Sequence, residues 1–259
     1  MNIPIYQIDA FTDERFRGNP AAVCILEAWL PDNILHNIAE ENNLAETAFV
    51  VRKNNNIELR WFTPVVEVDL FGHATLATAY TFKEHLDYKD DEISFKTKSG
   101  ILEVIYGGDM MSMIFPRREG APYSGMGEVS AALGAQPLEV FKSRDIMAVF
   151  ENEESVRALQ PDFAKVSKLE CLGVIATAPG RNADFVSRYF APQAGINEDP
   201  VTGSAHTTLI PYWSARLRKK QLAAMQISRR GGKLFCEDLV DKVKIAGKAV
   251  TYLTGMITV

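Results

Sequence analysis

The feature that most constrains this chain is a pattern that occurs twice, about half the chain apart. Arg60-Trp61-Phe62-Thr63-Pro64 precedes Asp69-Leu70-Phe71-Gly72-His73-Ala74-Thr75-Leu76-Ala77. Arg188-Tyr189-Phe190-Ala191-Pro192 precedes Asp199-Pro200-Val201-Thr202-Gly203-Ser204-Ala205-His206. Each copy reads Arg, aromatic, Phe, small, Pro, and then an acid, a turn, Gly and a run of small residues. A repeat this long is no solenoid period and suits two similar halves. Each half then carries one helix that opens on Gly and small residues. Such a helix start presents unpaired N–H groups and the positive end of the dipole, which hold an anion.

The rest of the chain reads mainly as strands. Alternation and β-branched residues mark Ile3 to Phe11, a segment through Leu26, Ala45 to Val51 and Ile57 to Phe62. Further strands are expected over Ile93 to Lys98, Gly100 to Tyr106, Met111 to Phe115, Asp145 to Glu151, Gly173 to Ala178 and Asp184 to Phe190. Ile227 to Arg229, Lys233 to Glu237, Lys242 to Ala246 and Val250 to Val259 supply the late ones. Pro31 opens a helix to about Asn42, with Ile34, Leu35 and Ile38 on one face. Pro211 falls inside the second Gly-led helix and is expected to kink it or break its ladder. Largely apolar helices with small polar residues, set among many strands, predict an α+β protein in which a sheet wraps each central helix. The turn-rich Gly120 to Gly127 stretch marks the crossover. It gives an N-terminal lobe of residues 1–118 and a C-terminal lobe of 119–259, whose last strands are free to return to the first lobe.

Composition excludes several functions. A net charge of −5 argues against nucleic acid as the partner. No apolar run is long enough to span a bilayer, and Met1-Asn2-Ile3-Pro4 opens no signal peptide, so a cytoplasmic protein is expected. Cys24, Cys171 and Cys236 are far apart and sit in apolar or strand-like settings, which suits buried structural thiols. The four histidines show no metal spacing. Neither a metal nor an organic cofactor is expected.

Chemistry concentrates on few residues. Glu46 shares a strand face with Ala48 and Val50. It is either an edge-strand acid that reaches water or a buried carboxylate suited to take and return a proton. Asp69 and Asp199 either cap and turn their helices or serve a site there. His73 is either a satisfied core histidine or a donor at the helix start, and Ser204 either caps its helix or holds a ligand. Gly18-Asn19-Pro20 either turns the chain or brings backbone N–H groups to a ligand.

The motifs Asp9-Ala10-Phe11-Thr12, Gly18-Asn19-Pro20-Ala21-Ala22-Val23, Ala45-Glu46-Thr47-Ala48-Phe49, Phe62-Thr63-Pro64, Phe71-Gly72-His73-Ala74-Thr75 and Glu198-Asp199-Pro200-Val201-Thr202-Gly203-Ser204-Ala205 resemble those of the PhzF-like isomerases. That family shares the diaminopimelate-epimerase fold, so the resemblance implies two lobes related by a pseudo-two-fold, each a β-barrel-like sheet around a central helix. It implies an active site in the cleft between lobes, with Glu46 as the catalytic acid/base. His73, Asp199, Ser204, Gly72 and Gly203 are implied as substrate-binding residues, and a homodimer as the assembly. The fold's epimerases use a thiol at each helix start. Here Phe71 and Pro200 stand in those places, which disfavours two-base racemisation and leaves one-base isomerisation by Glu46.

The expected function is therefore a cofactor-independent isomerase that moves a proton, and with it a double bond, in a small anionic metabolite. The alternatives are a non-catalytic small-molecule-binding protein on the same fold and, more weakly, an epimerase or racemase.

Overall fold

The computed structural model describes residues 1–53, 56–68 and 72–259. The chain forms two compact units, residues 1–114 with 246–259 and residues 115–245. The first begins with β1 (Asn2–Ala10), β2 (Asn19–Leu26), α1 (Asp32–Asn42), β3 (Glu46–Lys53), β4 (Asn56–Phe62) and β5 (Glu67–Val68). The central helix α2 (Gly72–His85) follows, then β6 (Glu92–Thr97), β7 (Gly100–Gly107) and β8 (Met110–Pro116). The second unit holds β9 (Ala121–Pro122), α3 (Met126–Leu133), β10 (Glu139–Lys142), β11 (Ile146–Val149), α4 (Glu153–Arg157), α5 (Phe163–Val166), β12 (Val174–Pro179) and β13 (Phe185–Ala191). It continues with β14 (Ile196–Asp199), the central helix α6 (Gly203–Leu217), β15 (Gln221–Gln226), β16 (Gly232–Asp238) and β17 (Lys242–Gly247). The final strand, β18 (Ala249–Thr258), pairs antiparallel with β1 and so belongs to the first unit.

The architecture is α+β, a large sheet system with few helices, and each unit repeats one order of pairing. In the first unit β2 runs parallel to β3, β4 returns antiparallel to β3, and β6 lies parallel to β4. In the second, β11 runs parallel to β12, β13 returns antiparallel to β12, and β15 lies parallel to β13. The twice-occurring Arg acquires a structural meaning here. Arg60 forks onto both carboxylate oxygens of Glu67 at 2.8 Å, tying β4 to β5, and its guanidinium lies 5.1 Å from the Phe62 ring centre. Arg188 forks onto Glu198 at 2.7 and 2.9 Å, tying β13 to β14, with its guanidinium 4.9 Å from the Phe190 centre. A planar guanidinium matches a carboxylate edge and an aromatic face together, which is why Arg and Phe recur as a set.

Both central helices are buried on nearly every side, from Ala74 to Ala79 in α2 and from Ala205 to Pro211 in α6. That explains their small residues, and it sets a problem for the buried threonines. Thr78 and Thr81 solve it by donating to the carbonyls of Ala74 and Ala77, at 2.7 and 2.9 Å. α2 packs against β1, β2, β3 and β18 of its own unit. The opposite face of β2 and β3 carries Cys24, Leu26, Phe49 and Val51, which pack with Leu35 and Ile38 of α1.

Two expectations fail. α6 runs through Pro211 without a break. Pro211 cannot donate to the Thr207 carbonyl, but the backbone N–H of Arg118 does so at 3.1 Å. Residues 227–229 are not a strand; the strand is Gln221–Gln226, where Leu222, Ala224 and Gln226 alternate inward. Its small and polar inward residues give weak alternation in the sequence. The four-residue β10 and the two-residue strands were likewise too short to be seen.

Candidate active site

In the first unit the site grows from β3 and α2. Glu46, the first residue of β3, faces away from the α1 core and is 1% exposed. The edge-strand reading is thereby overturned. His73 is the second residue of α2 and is 3% exposed. Its Nε2 meets Glu46 Oε2 at 2.5 Å, off the line of a straight hydrogen bond. Its Nδ1 lies 3.3 Å from Asn19 Nδ2. With the Asn19 amide donating, Nδ1 accepts and the imidazole carries its proton on Nε2, against the carboxylate. Carboxylate, imidazole and amide thus form one chain of polar contacts, on the strand face that also carries Ala48 and Val50.

Asn19 was not among the expected site residues. Its Gly-Asn-Pro setting reads as a turn, and the turn is real. Gly18 has φ +65°, and a Cβ there would fall 2.2 Å from the Ala10 carbonyl oxygen. Asp9, 1% exposed, fastens the loop by accepting from the Phe16 N–H at 2.9 Å. From this turn the chain enters β2, which is in parallel register with β3, Ala21 beside Glu46. Asn19, two residues earlier on the same face, is thereby brought to His73.

In the second unit Gly203 opens α6 and Ser204 follows it. Thr202 is the N-cap residue, without a side-chain cap bond, so Ser204 does not cap the helix. Ser204 Oγ instead accepts from Arg144 Nη2 at 2.9 Å. The same Nη2 reaches Asp145 Oδ2 at 2.9 Å, and Tyr189 donates to Asp145 Oδ1 at 3.0 Å. Asp145 is 1% exposed. Burial and the Asp145 charge push the Tyr189 hydroxyl well above the ordinary range, so it remains a donor. Asp199 accepts from Thr202 Oγ1 at 2.5 Å. Gln226, fully buried, ties this loop together by donating to the Asp199 carbonyl at 2.8 Å and accepting from the Thr202 N–H at 2.8 Å. Arg144, Asp145 and Gln226 had no sequence signal beyond ordinary strand and loop residues, and Tyr189 stood out only as the aromatic of the repeat.

His206 plays a different part. It is fully buried, its Nδ1 bonds the Thr202 carbonyl at 2.8 Å, and its ring lies 5.9 Å from that of Phe185. Burial holds its pKa down, to about 4, so it stays neutral.

Gly72 likewise opens its helix, while Asp69 and Phe71 lie outside the described residues. Pro200 is half-buried, with its carbonyl accepting from Ser228 Oγ at 2.8 Å. Cys24 is fully buried and its thiol is pushed up to about 12; burial also raises Cys236 and Cys171. Among the described residues no group of His, Cys, Asp and Glu is arranged to hold a metal ion, and no helix is long and apolar enough to cross a membrane.

Comparison with known proteins identifies the family and the fold. Residues 8–255 match the family described as phenazine biosynthesis-like protein. An uncharacterized isomerase of Pseudomonas aeruginosa is 50% identical over 255 residues, covering 98% of both chains. The crystal structure of a PhzF-family phenazine biosynthesis protein from Enterococcus faecalis is 45% identical, covers 100% of both chains and superposes with a TM-score of 0.96. A predicted epimerase from Pseudomonas aeruginosa, 20% identical with a TM-score of 0.79, shares the fold. The chain belongs to the phenazine biosynthesis-like PhzC/PhzF family.

Proposed function

We propose that this protein is a cofactor-independent isomerase that moves a proton and a double bond within a small anionic metabolite, with Glu46 as the single acid/base. One observation carries the reading: a carboxylate 1% exposed, held 2.5 Å from an imidazole at the start of a helix. Oε2 is turned to His73, which leaves Oε1 for the substrate. Oε1 takes a proton from the carbon beside the double bond, and the electron pair spreads into an allylic anion. The same carboxyl then delivers that proton to the far end of the allylic system, on the same face. The double bond has moved, atoms and electrons balance, and no oxidant or metal is consumed.

The negative charge of this intermediate needs fixed donors. The first N–H groups of α2, at Gly72 and His73, are of the right kind, because a helix start holds an anion without a mobile cation. We assign further substrate contacts to Gly203 and Ser204 at the start of α6 and to Asp199. The isomerase name of the relative in Pseudomonas aeruginosa supports the same reaction class.

The test uses heavy water. Wild-type protein should place deuterium at the receiving carbon of a β,γ-unsaturated carboxylate drawn from a panel of such acids. Glu46→Gln should bind the same acid with near-normal affinity and lose the exchange. Exchange at the wild-type rate in that variant would mean that another acid does the work. A wild-type protein that binds the panel without exchanging any member would favour a binding protein on this fold.

A further inference from the structure

The second unit contains a charged group that the proton transfer does not use. We infer that Arg144 recognises a carboxylate of the substrate at the start of α6, with Asp145 and Tyr189 as the residues that hold it there. This rests on the reading of Ser204 as a substrate contact.

Arg144 differs from an ordinary surface arginine in how it is held. Its Nη2 is fixed twice, by Ser204 Oγ and by Asp145 Oδ2, both at 2.9 Å. Asp145 is in turn fixed by the Tyr189 hydroxyl at 3.0 Å, and it is buried, so it cannot swing away. The guanidinium therefore keeps one place without depending on a long mobile stem. Yet it is under-used. Among the described residues only Nη2 is engaged, and Nε is shut from water with no acceptor. What water cannot reach a ligand cannot reach either, so the donors open to a substrate are the outer guanidinium N–H groups rather than Nε. The side chain is also 34% exposed, so the group is not sealed.

The chemistry of what completes it follows from the charges. Asp145 already balances Arg144, so the pair exerts little long-range pull on any anion. Asp199, the other nearby carboxylate, has one oxygen taken by Thr202. Selection must come from direct donors: the remaining guanidinium N–H groups, the Ser204 hydroxyl and the first N–H groups of α6. Planar paired donors match a planar carboxylate. A neutral amide of the same shape offers one acceptor oxygen and brings two donors of its own, which face donors here.

The experiment compares sorbate with sorbamide, a dienoate and its uncharged isostere, by titration calorimetry at constant ionic strength. Wild-type protein should bind sorbate at least about tenfold more tightly than sorbamide. Arg144→Gln should weaken sorbate by about tenfold or more and leave sorbamide unchanged, with Arg144→Lys in between. Arg144→Gln strands a buried Asp145, so a second measurement avoids variants that fold poorly. In protein carrying isotopically labelled arginine, the Arg144 Nε–H resonance should shift when sorbate engages the outer guanidinium N–H groups and stay in place with sorbamide. Equal binding of acid and amide, an unmoved resonance, undiminished sorbate binding by Arg144→Gln, or no saturable binding of sorbate would each overturn the inference. The acid–amide contrast should persist in Glu46→Gln. Failure of the Glu46 mechanism therefore shows as retained exchange in that variant, and failure at Arg144 shows as a lost contrast.

Discussion

The two units run the same elements past the same kind of helix, yet their registers put different chemistry at matching places. Thr47 pairs with Phe62 as Val174 pairs with Phe190, which makes Gly173 the counterpart of Glu46. The parallel registers then match Ala21 with Asp145 and Pro20 with Arg144. In the first unit the strand start carries an acid, and the helix start gives it a histidine. In the second the acid is gone, and the Tyr189 ring lies so close to Gly173 that a Cβ there would stand 2.3 Å from it. Tyr189 has Asp145 to bond, whereas its counterpart Trp61 has Ala21 in that place and its buried N–H finds no acceptor among the described residues. What the units share is the clasp, Arg60–Glu67 and Arg188–Glu198. What they do not share is the Glu46–His73 pair of the first and the Arg144–Asp145 pair of the second. On the proposed reading, the duplicated scaffold offers a proton-transfer group in one copy and a fixed cation in the other.

The sharpest way to break that comparison is to remove the acid. Glu46→Gln keeps size and hydrogen bonding but cannot accept a proton from carbon. Turnover should fall by about 10²–10⁴-fold, the scale of a positioned acid/base, with binding little changed. Solvent-deuterium exchange and equilibrium binding on the same preparation measure both. If Arg144→Gln abolishes exchange and Glu46→Gln does not, the division of labour between the units is the reverse of the one drawn above.

The next effect is on stability and belongs to the second unit. His206 is held neutral in the fold at a pKa of about 4, against 6.5 for a free imidazole. Above pH 6.5 both folded and unfolded chains carry it neutral, and it contributes no pH dependence. As pH falls below that value the unfolded chain binds the proton first, so stability is lost down to about pH 4, by about 3 kcal/mol in all. His206→Asn, which can still donate to the Thr202 carbonyl, should flatten this part of the curve. Denaturant melts of both proteins across that range measure it, and parallel curves would contradict the assignment.

These contrasts show what a sequence can and cannot carry. The repeat was legible because a clasp needs the same residues twice, in local order. Glu46, Ala48 and Val50 were legible as one face because strand alternation is local too. Which face lies toward water was not, because α1, which precedes β3, and α2, which follows β4 and β5, cover its two sides and leave neither to water. Asn19 was hidden inside a turn that its neighbour Gly18 does make. Arg144 goes unmarked and Asp145 reads only as the start of a strand, until Tyr189 and Ser204 arrive from elsewhere in the chain. Pro211 read as a helix breaker because the N–H that replaces its missing bond belongs to Arg118. Each failure concerns a partner supplied by tertiary structure; each success concerns a residue whose reason lies within a few neighbours.

A smaller effect tests whether the second unit could take the first unit's chemistry. Gly173→Ala adds only a methyl group, but that methyl would meet the Tyr189 ring at 2.3 Å. Tyr189 must tilt and loosen its bond to Asp145. We expect a loss of about 1–3 kcal/mol, the usual range for overpacking a tight site. The melting temperature gives the cost, and the Arg144 Nε–H resonance reports whether the guanidinium is still held. An unchanged melting temperature would mean that the ring is free to yield, and that the counterpart of Glu46 is empty for some other reason than Tyr189.

The smallest effect concerns the thiols, and it decides whether the two helix starts form a matched pair of bases after all. An epimerase of this fold needs a reactive thiolate at each start, which requires exposure and a lowered pKa. Cys24 meets neither condition: it lies within β2, on the face that packs against α1, and burial lifts its thiol to about 12. Cys236 lies within β16 of the second unit, 4% exposed and raised as well. Cys24→Ala removes one buried sulfur and should cost about 1 kcal/mol of stability by lost apolar burial. Exchange per folded molecule should not change, because the proposed mechanism moves the proton through Glu46, on the opposite face of the sheet. Native protein should also leave Cys24 and Cys236 unmodified by a thiol reagent that labels both after unfolding. Rapid labelling of Cys24 in the native state, with loss of exchange, would return a thiol to the mechanism and restore the symmetry that Glu46 and Gly173 break.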